Sequence, residues 1–166
     1  MKTFQLEGTP RTEIGKKAAK AIRKEEMIPA VLYGGESTIH FNVTKDAVRK
    51  LIYTPEIYIV DLTIGDKKTK AIIKDLQFHP VTDAVLHIDF LEVFDNKPIV
   101  MEVPVVLDGF AEGVKAGGKL SLEMRKLKVK AVYSAIPEKL NINIDKLGLG
   151  KTMQVGALHF EGLEIM

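Results

Sequence analysis

The sequence predicts a mainly β protein. Its first domain is α+β, a small barrel or strongly curled sheet with two helices, and a second, all-β domain follows. Three observations carry this. Apolar and polar residues alternate with period two through several short runs, of which LHIDF (86–90) is the clearest. Only two stretches of the first half read as helices. A cluster of turn formers, Asp95-Asn96-Lys97-Pro98, separates two β-rich runs. The domains are therefore expected at residues 1–94 and 95–166.

Composition narrows the function classes. The chain has 166 residues, 46% hydrophobic and 28% charged, enough to bury a core. No apolar run approaches the ~20 residues of a membrane helix, and the opening MKTFQLEGTP lacks the apolar segment of a secretory signal. No membrane partner and a cytoplasmic location are expected. There is no cysteine, which rules out disulfides, thiol catalysis and zinc–thiolate sites and fits a reducing compartment. The net charge is only +2, so its distribution matters more than its size.

Along the chain, residues 16–25 hold strong helix formers and no breaker, and Pro29 is expected to stop that helix. Lys16, Lys20, Arg23 and Lys24 would share one side, with Ala18, Ala21 and Ile22 on another. PAVLYGG (29–35) reads as a short strand ended by two glycines, and STIHFNV (37–43) alternates as a strand. Thr44 is the expected N-cap of a second helix, TKDAVRKLIY, closed by Pro55. IYIVDLTI (57–64) and TKAIIKDLQF (69–78) form a hairpin around residues 65–68. HPVTDA turns the chain into VLHIDFLEVF (85–94). Beyond the linker, IVMEVPVVLDG and LSLEMRKLKVKAVYS read as strands flanking the glycine-rich FAEGVKAGGK, and nothing there reads as a helix.

Most chemical motifs fail on inspection. GLGKT (148–152) resembles the end of a phosphate-binding loop, but the position that needs the first glycine is Asp145. It reads as a surface turn. GVKAGG (113–118) precedes a strand and not a helix, so no helix dipole would help it hold an anion; it reads as a wide β-turn. Ser37, Ser121 and Ser134 lack a Gly-x-Ser-x-Gly setting, and no catalytic site is expected. The histidines are His40, His79, His87 and His159. His87 and Asp89 could be two ligands of a metal, with His79 or Gln77 across the hairpin, but a metal site needs about three or four converging ligands; a metal-dependent hydrolase or small-molecule binder using His79, His87 and Asp89 is the alternative reading. The favoured reading is a protein with no cofactor, no metal and no small-molecule substrate.

RNA binding is suggested by features in combination. Residues 10–24 carry six cations, Arg11, Lys16, Lys17, Lys20, Arg23 and Lys24, against the single acid Glu13. Tyr33 follows at a strand end. Gln77, His87 and Asp89 form a polar set on neighbouring strands. Cations suit phosphates; Gln, His and Asp suit base edges and 2′-hydroxyls. An acid such as Asp89 has little use in non-specific phosphate binding.

The order of GKKAAKAIR, IPAVLYGG, KDLQFHP and HIDF resembles the bacterial large-subunit ribosomal protein family that binds 5S rRNA. VPVVLDGFAEGVKAGGKL, IPEKLNINID and LGLGK resemble the second domain of its longer branch, the general stress protein Ctc type. The resemblance implies a small β-barrel with helices on the loop E region of 5S rRNA, its strand face toward the minor groove, followed by the second β domain. It implies a structural, non-enzymatic role in translation, with other large-subunit components as partners. Arg11, Lys20, Arg23, Tyr33, Gln77, His87 and Asp89 fall on positions that contact RNA in that family, and Lys16 joins them on the basic helix. Lys20 stands where many relatives carry arginine, so charge is kept without the bidentate fork. FEGLEIM ends sooner than the usual second domain, which therefore reads as C-terminally shortened. Ten basic against nine acidic residues from Asp95 onward give that domain no RNA signature.

Overall fold

In a computed structural model, which describes residues 2–166, the chain forms two compact units. One comprises Lys2–Thr54 and Tyr58–Phe94; the other comprises Asp95–Met166 with Pro55–Ile57. The first is a closed barrel. Its strands are β1 (Lys2–Pro10), β2 (Met27–Tyr33), β3 (Ile39–Thr44), β4 (Tyr58–Ile64), β5 (Lys67–Phe78) and β6 (Val85–Glu92), in the order β1-β3-β2-β6-β5-β4. Helix α1 (Lys16–Lys24) lies between β1 and β2 in sequence, and α2 (Lys45–Ile52) between β3 and β4.

Two parallel pairings, β1 with β4 and β2 with β6, join the antiparallel ladders into a ring. Alternation then sends Leu6, Leu32, Phe41, Leu62, Ile88 and Phe90 into one core. The Phe41 and Phe90 rings meet there with centroids 5.6 Å apart, and α2 adds Val48 and Leu51.

Several expectations need correction. Residues Lys2–Pro10 form a full strand where the sequence reading places no element, since they show no clean alternation; its partner, β4, lies some fifty residues downstream. Helix α1 ends at Lys24 without Pro29. Glu26 turns the chain with a left-handed φ of 59°, and Pro29 sits inside β2, just before the ladder with β6 begins at Ala30. Thr44 occupies the N-cap of α2, but its hydroxyl makes no capping bond. Instead, the Lys45 N–H donates to the Glu26 carbonyl and the Lys45 ammonium pairs with the Glu26 carboxylate at 3.2 Å.

The second unit is a four-stranded sheet, β10-β8-β7-β9, made of β7 (Pro98–Asp108), β8 (Lys126–Val132), β9 (Leu140–Asn143) and β10 (Glu164–Ile165). The glycine-rich loop is a turn of helix, α3 (Glu112–Lys115), and not a wide β-turn. Gly113 is required there: a Cβ would stand 2.9 Å from the backbone of Gly148 and Leu149. GLGKT is a turn closed by the Lys151 N–H on the Gly148 carbonyl, with Gly150 at φ +67°. The strand expected from Leu120 begins only at Lys126.

The barrel is closely packed where β1 crosses β3. A Cβ at Gly8 would lie 2.4 Å from the buried Phe41 ring. Gly8→Ala is expected to cost about 1–3 kcal/mol in urea unfolding through overpacking. An unchanged midpoint would contradict this packing.

Candidate nucleic-acid interface

Helix α1 packs against β2 through Ala18, Ala19 and Ile22, which are half-buried, while Ala21 is exposed. At 3.6 residues per turn these three fall within about 100° of arc, with Ala21 outside it. Lys16, Lys17, Lys20 and Lys24 project to solvent. Arg23 stands at the edge of the cationic face nearest the barrel. Its Nε and Nη2 both donate to the Leu86 carbonyl of β6, at 3.1 and 3.0 Å. One edge of the guanidinium therefore fixes the helix beside the strand that carries His87.

Arg11 follows β1, and its backbone N–H donates to the His40 carbonyl at 3.0 Å. Its Nε and Nη1 are buried and have no hydrogen-bond partner. Burial, and then the nearby Arg23 cation, lower its pKa from the ordinary value. Two guanidiniums thus share a site where, among the described residues, neither has an acid partner.

The strand face lies alongside. On β6 the inward Ile88 and Phe90 fix His87 and Asp89 outward, 22% and 28% exposed, with His87 Nδ1 2.7 Å from Asp89 Oδ1. The β5–β6 register sets Gln77 opposite His87 and Asp75 opposite Asp89, after a register shift between Ile73 and Asp75. On β2, Val31 pairs with Asp89, so Tyr33 falls on the same face two residues on. Burial, then Asp89, then Asp75 raise the Tyr33 pKa, keeping its hydroxyl a donor. Asp75 escaped the sequence reading, yet it shares parity with Gln77 in KDLQF, and that spacing could have found it.

The structure thus gathers Gln77, His87, Asp89 and Tyr33 on one face, with Arg23 anchored one residue from His87. Lys16 and Lys20 reach solvent from α1. His79 is separate. Its Nδ1 accepts the Val81 and Thr82 N–H groups at 3.3 and 3.2 Å, which holds the β5–β6 turn. Among the described residues no three His, Cys, Asp or Glu side chains converge on a metal position. Chemically, the cations can seat phosphate oxygens, and the strand face offers donors and acceptors at one depth.

Residues 6–90 match the ribosomal L25p family, and residues 98–166 match the C-terminal domain of ribosomal protein TL5. The large ribosomal subunit protein bL25 of Parabacteroides distasonis is 69% identical, aligned over all of this chain and 88% of that protein. Its counterpart in Porphyromonas gingivalis is 71% identical with the same coverage, and that of Bacteroides fragilis is 57% identical, with 87% of its length covered. The chain belongs to the ribosomal L25p family. That is a family of structural ribosomal proteins, so the alternative reading of a hydrolase at His79, His87 and Asp89 is set aside.

The Tyr33 environment yields a pH prediction. Its raised pKa means that its stabilising contribution is full below the ordinary value of 10.0 and is lost as pH rises through the raised value. In Asp89→Asn, Tyr33 should ionise at lower pH than in the parent, since one repelling carboxylate is gone. Absorbance titration with Tyr33→Phe as reference checks this; an unmoved Tyr33 titration would place Asp89 too far away to act.

Proposed function

We propose that this chain is a structural constituent of the large ribosomal subunit in the bacterial cytoplasm, and that its barrel binds 5S rRNA. The cations of Arg11, Lys16, Lys20 and Arg23 meet phosphates. Tyr33, Gln77, His87 and Asp89 meet base edges and 2′-hydroxyls in a shallow minor groove. The unit of residues 95–166 meets other components of the same subunit. Family membership supports the ribosomal role. The observation that carries the RNA reading is the Arg11 guanidinium, buried in part, without a partner and beside a second arginine. A phosphate beside the pair would offset the repulsion between the two cations.

Gel-shift measurement with 5S rRNA against transfer RNA tests this reading. The chain should prefer 5S rRNA. Asp89→Ala should weaken that binding by roughly 1–3 kcal/mol, because an RNA donor is left unpaired. Long-range electrostatics alone predicts the reverse, as the variant removes an acid near a polyanion. Equal binding of both RNAs, or tighter binding by the variant, would reject the strand face as the reading surface.

A further inference from the structure

One buried carboxylate of the barrel has no part in the strand face. Glu92 ends β6 with the inward parity of Ile88 and Phe90, and its side chain is only 9% exposed. Its Oε1 accepts the Thr69 hydroxyl of β5 at 2.6 Å. Its Oε2 stands 3.6 Å from the Lys67 ammonium, and among the described residues no group donates a hydrogen bond to it. Burying a carboxylate at an inward position costs free energy that an apolar residue there would not. Packing of the core alone therefore gives no reason for an acid at this place.

The chain that passes against Glu92 supplies one. Strand β2 leaves its ladder with β6 at the Tyr33–Leu91 pair, and Gly34 and Gly35 follow without a ladder partner. A Cβ at Gly34 would stand 2.6 Å from the Leu91 side chain, and Gly34 holds φ +96°. A Cβ at Gly35 would collide with Glu92 Oε2. Gly35 does not hold a positive φ, so the backbone there does not call for glycine. The carboxylate does.

We propose that Glu92 is a positioning residue for Tyr33. Its carboxylate, held from β5 by Thr69 and Lys67, is the seat on which the Gly34–Gly35 segment rests. It thereby fixes where β2 ends and where the Tyr33 hydroxyl stands on the strand face. Glu92 itself is buried and touches no RNA; it acts through the backbone. Its effect on RNA binding rests on the reading that Tyr33 meets 5S rRNA, whereas its effect on Tyr33 does not. If Glu92 only tied β5 to β6, Gly35 and Tyr33 would be indifferent to it.

Two measurements on the full chain test it, with circular dichroism as the check on folding. One is the Tyr33 absorbance titration against Tyr33→Phe; the other is gel-shift affinity for 5S rRNA. Burial, Asp89 and Asp75 raise the Tyr33 pKa, so a change on removing Glu92 reports movement of the ring. Glu92→Ala should let Tyr33 ionise at lower pH and weaken 5S rRNA binding about three- to tenfold, the worth of one hydrogen bond. Glu92→Gln keeps an acceptor for Thr69 and a surface beneath Gly35, and should retain the parent behaviour. Gly35→Ala should act like Glu92→Ala in the parent chain. It should add little once Glu92 is alanine, because the collision is gone. Should Glu92→Ala unfold the barrel, Gly35→Ala in the parent chain must still lower the pH at which Tyr33 ionises. The proposal is overturned if a folded Glu92→Ala or Gly35→Ala leaves the Tyr33 titration unmoved, or if Gly35→Ala is equally damaging in both backgrounds. A moved titration with unchanged 5S rRNA binding would uphold the positioning role and reject Tyr33 as an RNA contact.

Discussion

Closure of the barrel by its two parallel pairings is the constraint on which the candidate interface depends. Once β2 lies against β6 at Ala30–Ile88 and Leu32–Phe90, the inward residues of both strands are fixed by the core, and the outward ones have no choice. A slip of one residue would bury His87 and Asp89 and expose Ile88 and Phe90. The hydrophobic cost of that exchange holds the polar face in register, without any contribution from the polar groups. The same closure places the Leu86 carbonyl where Arg23 can reach it, so the position of the basic helix is also a consequence of the ring.

Charge is arranged against folding convenience on this side of the barrel. Arg11 and Arg23 lie close without a carboxylate partner, and Asp75 faces Asp89 across two strands. The proximity of the two arginines costs stability in the free chain. Elsewhere the chain pairs its charges in the ordinary way, as at Lys45–Glu26 and Lys130–Glu164. A site of unneutralised like charges is a candidate for function because packing alone gives no reason to keep it.

Much of this was legible in the sequence because it is local. Period-two alternation marks β4, β5 and β6, and in β6 it also says which side His87 and Asp89 take. The composition of residues 16–24 marks α1 and its cationic face. What was not legible depends on distant partners. Strand β1 owes its form to β4, and no property of MKTFQLEGTP announces that pairing. Pro29 reads as a stop, yet it is tolerated in β2 because the β6 ladder starts one residue later. Residues 119–124 show the converse: their pattern is a strand's, but among the described residues no strand pairs with them, so the pattern alone does not make one. The Arg23 fork joins residues 63 apart in sequence and could not be read from either end.

The central claim is that one face, made by α1 and the outward residues of β2, β5 and β6, meets 5S rRNA. Titration of the ¹⁵N-labelled chain with 5S rRNA, followed by backbone amide shifts, tests it most directly. The account predicts the largest changes at Arg11, along α1, at Tyr33, and at residues 75–77 and 87–89. Changes concentrated instead on the β1–β4 side, around Gln5 and Asp61, or within residues 95–166, would contradict it.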